Sequence, residues 1–173
     1  MVIIFDSADK CGKTEMATAL SKALNVPYFK NKQEWQAFGK DPNYFVNALR
    51  YGDTYFYNFL KDTGTSIILD RSYPSEWVYS KVYGRSTDED VLRYVDELAF
   101  LAGARIIIPY RTSYAGRRDD VHDIDEVHLQ KLSDVYAEFA VWTKCPTLRF
   151  CVDNEDLNEE LHTILNFLRG GNK

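Results

Sequence analysis

The chain has 173 residues, of which 45% are hydrophobic and 27% are charged, and its formal net charge at pH 7 is −5. This length and composition suit one domain with a buried core and exclude a disordered tail. The acidic balance argues against a broad surface for nucleic acid, because such surfaces are usually basic, but it leaves room for a local basic pocket.

The cysteines and the apolar runs bear on the cellular compartment. Cys11, Cys145 and Cys151 are odd in number and show no C-x-x-C spacing, which argues against a zinc site or a disulfide framework. The N-terminus leads directly into a strand pattern, and no apolar run approaches the length of a membrane span. We therefore expect a cytoplasmic protein with no membrane partner.

The first predicted elements are a strand, a loop and a helix. Residues 2–5 have the pattern of a short buried strand, and apolar residues recur at helical spacing from Met16 onward. The loop between them matches the last three positions of G-x-x-x-x-G-K-[ST], with Ser7 where the first glycine is expected. Such a loop directs backbone N–H groups and the positive end of the helix dipole at one point, which suits a polyphosphate.

This loop is a candidate site for nucleotide phosphates. Lys13 is expected to reach the terminal phosphates, and Thr14 is expected to bind magnesium. Ser7 carries a side chain at a position where the backbone can need a positive φ. The alternative interpretation is a tight strand-to-helix turn with a surface lysine. The residues expected to contact the nucleotide are Ser7, Ala8, Asp9, Lys10, Cys11, Gly12, Lys13 and Thr14.

The rest of the chain alternates between strand and helix patterns. Strands are predicted over residues 26–30, 66–70, 105–109 and 147–152, and helices over about 41–61, 75–83, 86–102, 129–140 and 157–168. The alternation predicts an α/β fold, a three-layer, doubly wound, five-stranded parallel sheet in a single domain spanning residues 1–173. Ligands are expected at the carboxyl ends of the strands.

The helix predicted from Asp41 to about Lys61 carries more aromatic residues than one buried stripe can absorb. We expect some of them to line a groove. Apolar surface on this helix and on the helix over 86–102 also makes a homodimer plausible. The aromatic residues are Tyr44, Phe45, Tyr51, Tyr55, Phe56, Tyr57 and Phe59.

Charged residues are expected to meet the phosphate loop at the same edge of the sheet. Phosphoryl transfer needs phosphates held in line, neutralised charge and the exclusion of water. Asp70 ends a buried strand, where a residue that orients magnesium would lie; the alternative is a capping carboxylate. Arg71 can clamp a phosphate; the alternative is a surface salt bridge. Arg50 on the aromatic helix is expected nearby.

Residues 111–124 are predicted to form a lid that closes over the nucleotide and supplies positive charge in the transition state. The competing interpretation is a solvated run of charges. The sequence does not separate Arg117 from Arg118 as the catalytic arginine, and Arg111 belongs to the same loop. The acidic residues expected to hold the open lid by pairing with these arginines are Asp119, Asp120, Asp123 and Asp125.

Three of these stretches together resemble the thymidylate kinase family. Residues 5–14, Phe-Asp-Ser-Ala-Asp-Lys-Cys-Gly-Lys-Thr, resemble that family's Phe-Glu-Gly-x-Asp-x-x-Gly-Lys-[Ser/Thr]. Residues 70–75, Asp-Arg-Ser-Tyr-Pro-Ser, with Tyr79 further on, are similar to its Asp-Arg-[Tyr/His]-x-x-Ser and downstream Ala-Tyr-Gln. Residues 118–125 stand where the family has an Arg-Gly-Glu-x-Asp-Arg-x-Glu lid. The three stretches span most of the chain in the family's order.

The resemblance implies a P-loop nucleoside monophosphate kinase that uses ATP and Mg²⁺. It implies that Asp9 contacts the acceptor nucleotide or its magnesium, that Arg71 contacts the acceptor phosphate, and that Arg50 contacts the base or phosphate. Phe45 or a neighbour would stack on the base. The resemblance also points to a homodimer. The implied catalytic residues are Lys13, Asp9, Arg71, Arg117 and Arg118; the substrate contacts include Ser75 and Tyr79, and the metal ligands are Thr14 and Asp70.

Several positions depart from the family pattern. Asp6 replaces a glutamate, and Lys30-Asn31-Lys32 stands in place of an Arg-Glu-Pro-Gly segment, so lysine is expected to take over contacts with the acceptor phosphate. Ser80 occupies the place of a base-reading glutamine, which leaves the preference for thymine open. These departures fit a compact, divergent member of the kind that phages encode.

Three functions remain open from the sequence. The leading one is phosphorylation of a deoxynucleoside monophosphate, dTMP or a 5-substituted dUMP, to the diphosphate. The second is a P-loop kinase that acts on a modified base or an end of DNA, the only case in which nucleic acid would be a partner. The third is a nucleotide-binding protein without turnover, for which Ser7 is the main support.

Overall fold

The computed structural model describes residues 1–30, 43–117 and 124–170, in which strands alternate with helices. The elements in chain order are β1 (Val2–Phe5), α1 (Lys13–Leu24), β2 (Tyr28–Lys30), α2 (Tyr44–Asn47), a π-helical segment (Ala48–Asp53), α3 (Thr54–Thr63), β3 (Ile67–Asp70), α4 (Tyr73–Tyr83), α5 (Glu89–Leu101), β4 (Ala104–Tyr110), α6 (Glu126–Trp142), β5 (Thr147–Cys151) and α7 (Leu157–Leu168).

The five strands form one parallel sheet in the order β2-β3-β1-β4-β5. The central strand β1 is fully buried and pairs with β3 on one side and β4 on the other. Parallel neighbours need crossover connections, and helices cover both faces of the sheet. The register pairs Phe5 with Asp70, so the loop after β1 and the turn after β3 leave the sheet side by side. The predicted doubly wound α/β architecture is confirmed.

Short polar residues set one end of three of the helices. Asn25 ends α1 in the left-handed conformation, with φ of 52°. Asp88 caps α5 by accepting a hydrogen bond from the backbone N–H of Val91. Asp125 caps α6 in the same way, through the N–H of His128. Asp125 therefore holds a helix start, and among the described residues it pairs with His128 and with neither Arg111 nor Arg117.

The predicted aromatic helix differs from the structure in its winding. Its expected N-terminal residues, 41 and 42, lie outside the described residues. From residue 44 the chain is helical, but a π-helical segment separates α2 from α3, and the backbone N–H of Thr54 donates to the carbonyl of Leu49, five residues earlier. This wider winding keeps Leu49 and Tyr57 buried and leaves Tyr51 and Tyr55 exposed.

Two other predicted boundaries shift by two residues. The second strand begins at Tyr28 and not at residue 26, because Pro27 has no N–H to donate to a ladder. Helix α4 begins at Tyr73 and not at residue 75, with Pro74 in its first turn, where a missing N–H costs nothing.

A buried carboxylate ties the helices together behind the sheet. Asp96 on α5 accepts hydrogen bonds from the Tyr73 hydroxyl at 2.6 Å and from the backbone N–H of Lys144 at 2.9 Å. It thereby joins α4, α5 and the segment that leads into β5, and it satisfies polar groups that would otherwise be costly to bury. Within the described ranges, no helix is long and apolar enough to cross a membrane.

Two valines on helices provide a test of the packing. Val78 on α4 is 0% exposed and Val141 on α6 is 87% exposed. We expect Val78→Ala to lower the free energy of unfolding by about 2 kcal/mol, because it removes two buried methyl groups and leaves a void. Val141→Ala is the matched control and should change it by less than about 0.5 kcal/mol. Equal effects in urea denaturation would contradict the placement of α4 in the core.

Candidate active site

A cavity of about 280 Å³ opens at the carboxyl ends of β1 and β3. Parallel sheets of this kind bind ligands at that edge. The structure brings the predicted phosphate loop, the residue that ends β3 and the arginine after it into one site. The lining residues are Asp9, Lys10, Gly12, Lys13, Thr14, Glu15, Lys30, Asp70 and Arg71.

The loop backbone explains why Ser7 is tolerated. Among the described loop residues, positive φ angles occur at Lys10, with 65°, and at Gly12, with 71°, but not at Ser7. The expectation that Ser7 stands where a positive φ is needed is therefore wrong. Ser7 is buried, and its hydroxyl donates to the carbonyl of Ala8 at 3.0 Å.

Lys13 lies inside the curve of this loop. Its Nζ donates to the carbonyls of Ser7 at 3.0 Å and Ala8 at 2.7 Å, and it is 3.5 Å from a carboxylate oxygen of Asp9. Burial and the nearby Arg71 guanidinium lower the pKa of Lys13, while the carboxylate of Asp9 opposes this change. The ammonium thus forms part of the cavity wall, where phosphate oxygens can replace the carbonyls as partners.

Asp70 contacts three polar side chains at the end of β3. Its Oδ2 accepts hydrogen bonds from Thr14 at 2.6 Å and from Tyr28 at 2.9 Å. The ammonium of Lys30 lies 3.5 Å from the same oxygen and donates to the Thr14 hydroxyl at 3.0 Å. Burial raises the pKa of Asp70, but the hydrogen bonds from Thr14 and Tyr28 and the charge of Lys30 outweigh it, so the pKa lies below its usual value.

These oxygens fit a magnesium ion. Mg²⁺ prefers hard oxygen ligands and is usually held by one or two protein groups together with substrate phosphates. Thr14 and Asp70 offer a hydroxyl and a carboxylate oxygen 2.6 Å apart at the edge of the cavity. The described residues include no cluster of three or more His, Cys, Asp or Glu side chains that could hold a metal by themselves. Phosphate oxygens would therefore complete the coordination.

Arg71 is held in an uncommon backbone conformation. Its φ is 71°, in the left-handed region, and strain of this kind concentrates at functional sites. The guanidinium pairs with Asp9, donates to the Ser75 hydroxyl at 3.1 Å and lies 3.6 Å from Asp6. It also lies over the ring of Tyr79, 5.4 Å from the centroid. Ser75 and Tyr79, which the sequence predicts as substrate contacts, therefore both lie beside Arg71.

Asp9 lies between the two principal cations. It pairs with Arg71, is close to the ammonium of Lys13 and accepts a hydrogen bond from the Tyr79 hydroxyl at 3.2 Å. Burial raises the pKa of Asp9, but the charges of Lys13 and Arg71 outweigh it and hold the pKa well below its usual value. Asp9 is thus ionised across the physiological pH range.

The sequence analysis missed Asp6 as a site residue. Asp6 is 0% exposed and accepts hydrogen bonds from the hydroxyls of Tyr136 at 2.6 Å and Ser75 at 2.7 Å. It also accepts from the backbone N–H groups of Ser72 and Ser75. Burial raises its pKa, and Arg71 opposes that change. An acidic residue directly after a buried apolar strand was the signal that could have identified it.

The first part of the predicted lid is anchored to the phosphate loop. Arg111 is buried; its Nε donates to the carbonyl of Lys10 at 2.7 Å and its Nη1 to the carbonyl of Val152 at 3.2 Å. The Tyr114 hydroxyl lies 3.0 Å from the sulfur of Cys11. These contacts give Arg111 a supporting position behind the loop, since it does not line the cavity.

The lid arginines find a different acidic partner from the one expected. Glu155 pairs with Arg111 at 2.8 Å and with Arg117 at 3.0 Å. The expected partners 119, 120 and 123 lie outside the described residues, as does Arg118, so its proposed catalytic part stays a prediction. Arg117 is not among the residues that line the cavity.

Three residues expected on the acceptor side do not line the cavity at the phosphate loop. Arg50 pairs with Asp88 at 2.6 Å and lines a separate cavity of about 310 Å³. Ser80 is buried, and its hydroxyl donates to the carbonyl of Trp77. Phe45 is half-buried beneath the guanidinium of Arg85, which lies 4.1 Å from the ring centroid.

A second polar cluster lies between α4 and the aromatic helices, by which we mean α2, the π-helical segment and α3. Glu76 on α4 is 5% exposed and accepts a hydrogen bond from Arg85 at 2.7 Å. Burial raises the pKa of Glu76 to about 7, and burial together with the charge of Glu76 raises the pKa of Asp53 to about 7. Glu76 Oε1, Arg85 Nε and the Thr87 hydroxyl are buried without a hydrogen-bond partner. Such unpartnered atoms are unusual in native cores.

The fold is similar to that of nucleotide kinases of known structure. No protein-family model and no curated protein matches the sequence. The YorR protein from Bacillus subtilis, solved with phosphorylated GDP, is 19% identical with a TM-score of 0.66, and the match covers 98% of this chain and 96% of that chain.

Two further solved structures are similar. Deoxyadenosine kinase from M. mycoides is 22% identical with a TM-score of 0.59, over 98% of this chain and 100% of that chain. Thymidylate kinase from Ehrlichia chaffeensis is 17% identical with a TM-score of 0.55, over 98% of each chain. The resemblance to thymidylate kinase-like P-loop kinases is thereby confirmed for the fold.

The polar cluster predicts an unusual dependence of stability on pH. The pKa of Glu76 rises from 4.5 to about 7 on folding, so the folded state binds the proton more tightly than the unfolded state. Its contribution to the free energy of unfolding is therefore lost as the pH rises from 4.5 toward about 7. We expect Glu76→Gln to make this decline shallower in urea denaturation at a series of pH values. Glu138→Gln, at an exposed carboxylate on α6, is the control; identical slopes for Glu76→Gln and wild type would contradict the burial of Glu76.

Proposed function

We propose that this protein transfers the γ-phosphoryl group of ATP to a deoxynucleoside monophosphate, with dTMP or a 5-substituted dUMP as the acceptor. The observation that carries the proposal is the arrangement of Lys13, Asp9 and Arg71 around one cavity. Lys13 belongs to the loop that would hold the phosphates of ATP. Arg71 lies across Asp9 from it, at the place where a second phosphate would be bound.

In the proposed reaction, an oxygen of the acceptor phosphate forms a bond with the γ-phosphorus of ATP. The bond between that phosphorus and the oxygen bridging to the β-phosphate breaks, and ADP leaves with the electron pair. The acceptor oxygen is already ionised near neutral pH, so no general base is needed. Catalysis then rests on alignment and on neutralised charge, which Lys13 and Arg71 supply.

Magnesium would be held by Thr14 and Asp70, whose oxygens fit it. When bound, it would neutralise charge on the phosphates of ATP. Asp9 orients both Lys13 and Arg71 in this proposal. Arg117 and Arg118 are proposed to add positive charge from the lid.

The acceptor's base is proposed to lie between α4 and the aromatic helices. Tyr79 points from α4 toward the phosphate loop, and Glu76 lies one turn earlier on the same helix. The unpartnered atoms of Glu76 and Arg85 provide an acceptor and a donor for a base edge. Phe45, beneath Arg85, is the aromatic ring available for stacking. This pair would take the place of the family's glutamine, since Ser80 is turned into the core.

The solved neighbours support nucleotides as the ligands. Deoxyadenosine kinase from M. mycoides was solved with dATP, with dCTP, and with dCMP and dCDP. The homodimer also remains a proposal, for which the exposed aromatic side chains of Tyr51, Tyr55 and Phe59 are the available surface.

A panel of acceptors tests the proposal. We expect ADP to form from ATP and Mg²⁺ when a deoxynucleoside monophosphate is added, with dTMP or 5-substituted dUMP preferred. Parallel reactions contain deoxynucleosides, single-stranded DNA or no acceptor. Phosphate transfer to deoxynucleosides alone, or to DNA alone, would contradict the assignment, and ATP binding without any transfer would indicate a protein without turnover.

Removal of the loop ammonium should abolish turnover. We expect Lys13→Met to lower kcat by about 10²-fold or more, because a positioned charge on the transferring phosphate is lost. Lys61→Met, at a solvated ion pair on α3, is the control and should keep wild-type kcat. Wild-type kcat in Lys13→Met would remove Lys13 from the mechanism.

A further inference from the structure

Lys30 occupies the place between the two oxygens that would hold magnesium. Its ammonium donates to the Thr14 hydroxyl at 3.0 Å and lies 3.5 Å from the carboxylate of Asp70. Those two oxygens are themselves 2.6 Å apart. A single positive charge thus contacts the same pair of atoms that a divalent cation would contact.

A metal ion and this ammonium cannot share the position. Mg²⁺ binds oxygens at about 2.0–2.1 Å, and two cations on the same pair of oxygens repel each other strongly at the edge of a protein. Binding of the metal therefore requires Lys30 to leave.

Lys30 is free to move to another anion. It is the last residue of β2, an edge strand of three residues, and its side chain is 45% exposed. Within the described part of the chain, Asp70 is the only carboxylate that pairs with it. The long, flexible stem of lysine lets the ammonium swing by several ångströms without moving the backbone. Lys30 lines the same cavity as Arg71, so the nearest new anion would be a phosphate bound there.

We propose that Lys30 is a mobile cation that occupies the metal position before magnesium binds and is displaced onto the acceptor's phosphate when the metal arrives. The inference rests on the proposed function and adds to it an order in which the ligands bind. Lys30 keeps Asp70 neutralised in the free protein, and the acceptor phosphate gains Lys30 as a second cationic partner, beside Arg71, only after Mg²⁺ and the phosphates of ATP are in place. Metal binding and acceptor binding are thereby coupled through one side chain.

The coupling makes Lys30→Met act in opposite directions on two ligands. Mg²⁺ titrated calorimetrically into the protein saturated with ADP should bind about three- to tenfold more tightly, because no ammonium competes for Asp70. The acceptor monophosphate should bind about tenfold more weakly to the Mg²⁺–ADP complex, since a charge-assisted hydrogen bond is lost. Binding of thymidine, which has no phosphate, should stay unchanged. Lys30→Arg keeps the charge and should remain within about threefold of wild type for the monophosphate.

Lys61→Met is the matched control, because Lys61 also lies 3.5 Å from a carboxylate oxygen, that of Asp62, on a solvated surface. It should change neither affinity. Equal changes of both affinities in the same direction, or no change in either, for a Lys30→Met protein with a wild-type melting temperature would overturn the inference. The proposed function fails separately: wild-type protein would then form no ADP with any monophosphate, whatever Lys30→Met does to Mg²⁺.

Discussion

The arrangement of the site depends on the neutralisation of Arg71 by two carboxylates. Arg71 pairs with Asp9 in the phosphate loop and lies near Asp6 at the end of β1. A half-buried guanidinium would be costly without such partners. The pairing β1–β3 provides them, because its register sets Phe5 beside Asp70 and so places both loops at one point. The same carboxylates thus hold the cation and fix its direction.

Asp6 extends this control to two helices. Its oxygens accept the first N–H groups of α4 through Ser72 and Ser75, where a negative charge also complements the helix dipole. They accept the Tyr136 hydroxyl from α6 as well. The left-handed backbone of Arg71 is affordable only in this setting, since strain of about 1–3 kcal/mol per residue persists where surrounding contacts determine the conformation. The contacts of Asp6 therefore both position Arg71 and maintain its strained backbone.

Much of the fold could be predicted because it depends on local patterns. Buried strands such as Val2–Phe5 and the terminal helix Leu157–Leu168 follow from apolar periodicity, and Asn25 and Asp88 end or begin helices by their own chemistry. The π-helical segment could not be predicted, because its extra residue is accommodated by packing of Leu49 and Tyr57 against distant elements. Periodicity alone gives no signal for it.

The residues of the candidate site likewise divide into those that could be predicted from the sequence and those that could not. Lys13, Thr14 and Asp70 come from motifs next to a strand end, so their convergence could be predicted from parallel-sheet topology. Arg111 could not be separated from a mobile lid arginine, because its partners, the carbonyls of Lys10 and Val152, are remote in sequence. The pairing of Glu76 with Arg85 could not be predicted either, because it depends on the burial of Glu76 in the folded protein, which composition does not indicate.

The balance of charge in the cavity explains how an acidic protein could bind the two anionic nucleotides that we propose as its substrates. The net charge of −5 belongs to the whole chain, whereas the cavity places Lys13, Lys30 and Arg71 within reach of one another. Each of these cations is paired with Asp9 or Asp70 in the described structure. The carboxylates keep the cations oriented and prevent mutual repulsion from opening the loop. Phosphates that enter meet Lys13 and Arg71, whose directions are already set, so little reorganisation of these two cations accompanies binding. A site with cations alone would bind phosphate more strongly but would hold it in less defined geometry, and in-line transfer depends on that geometry.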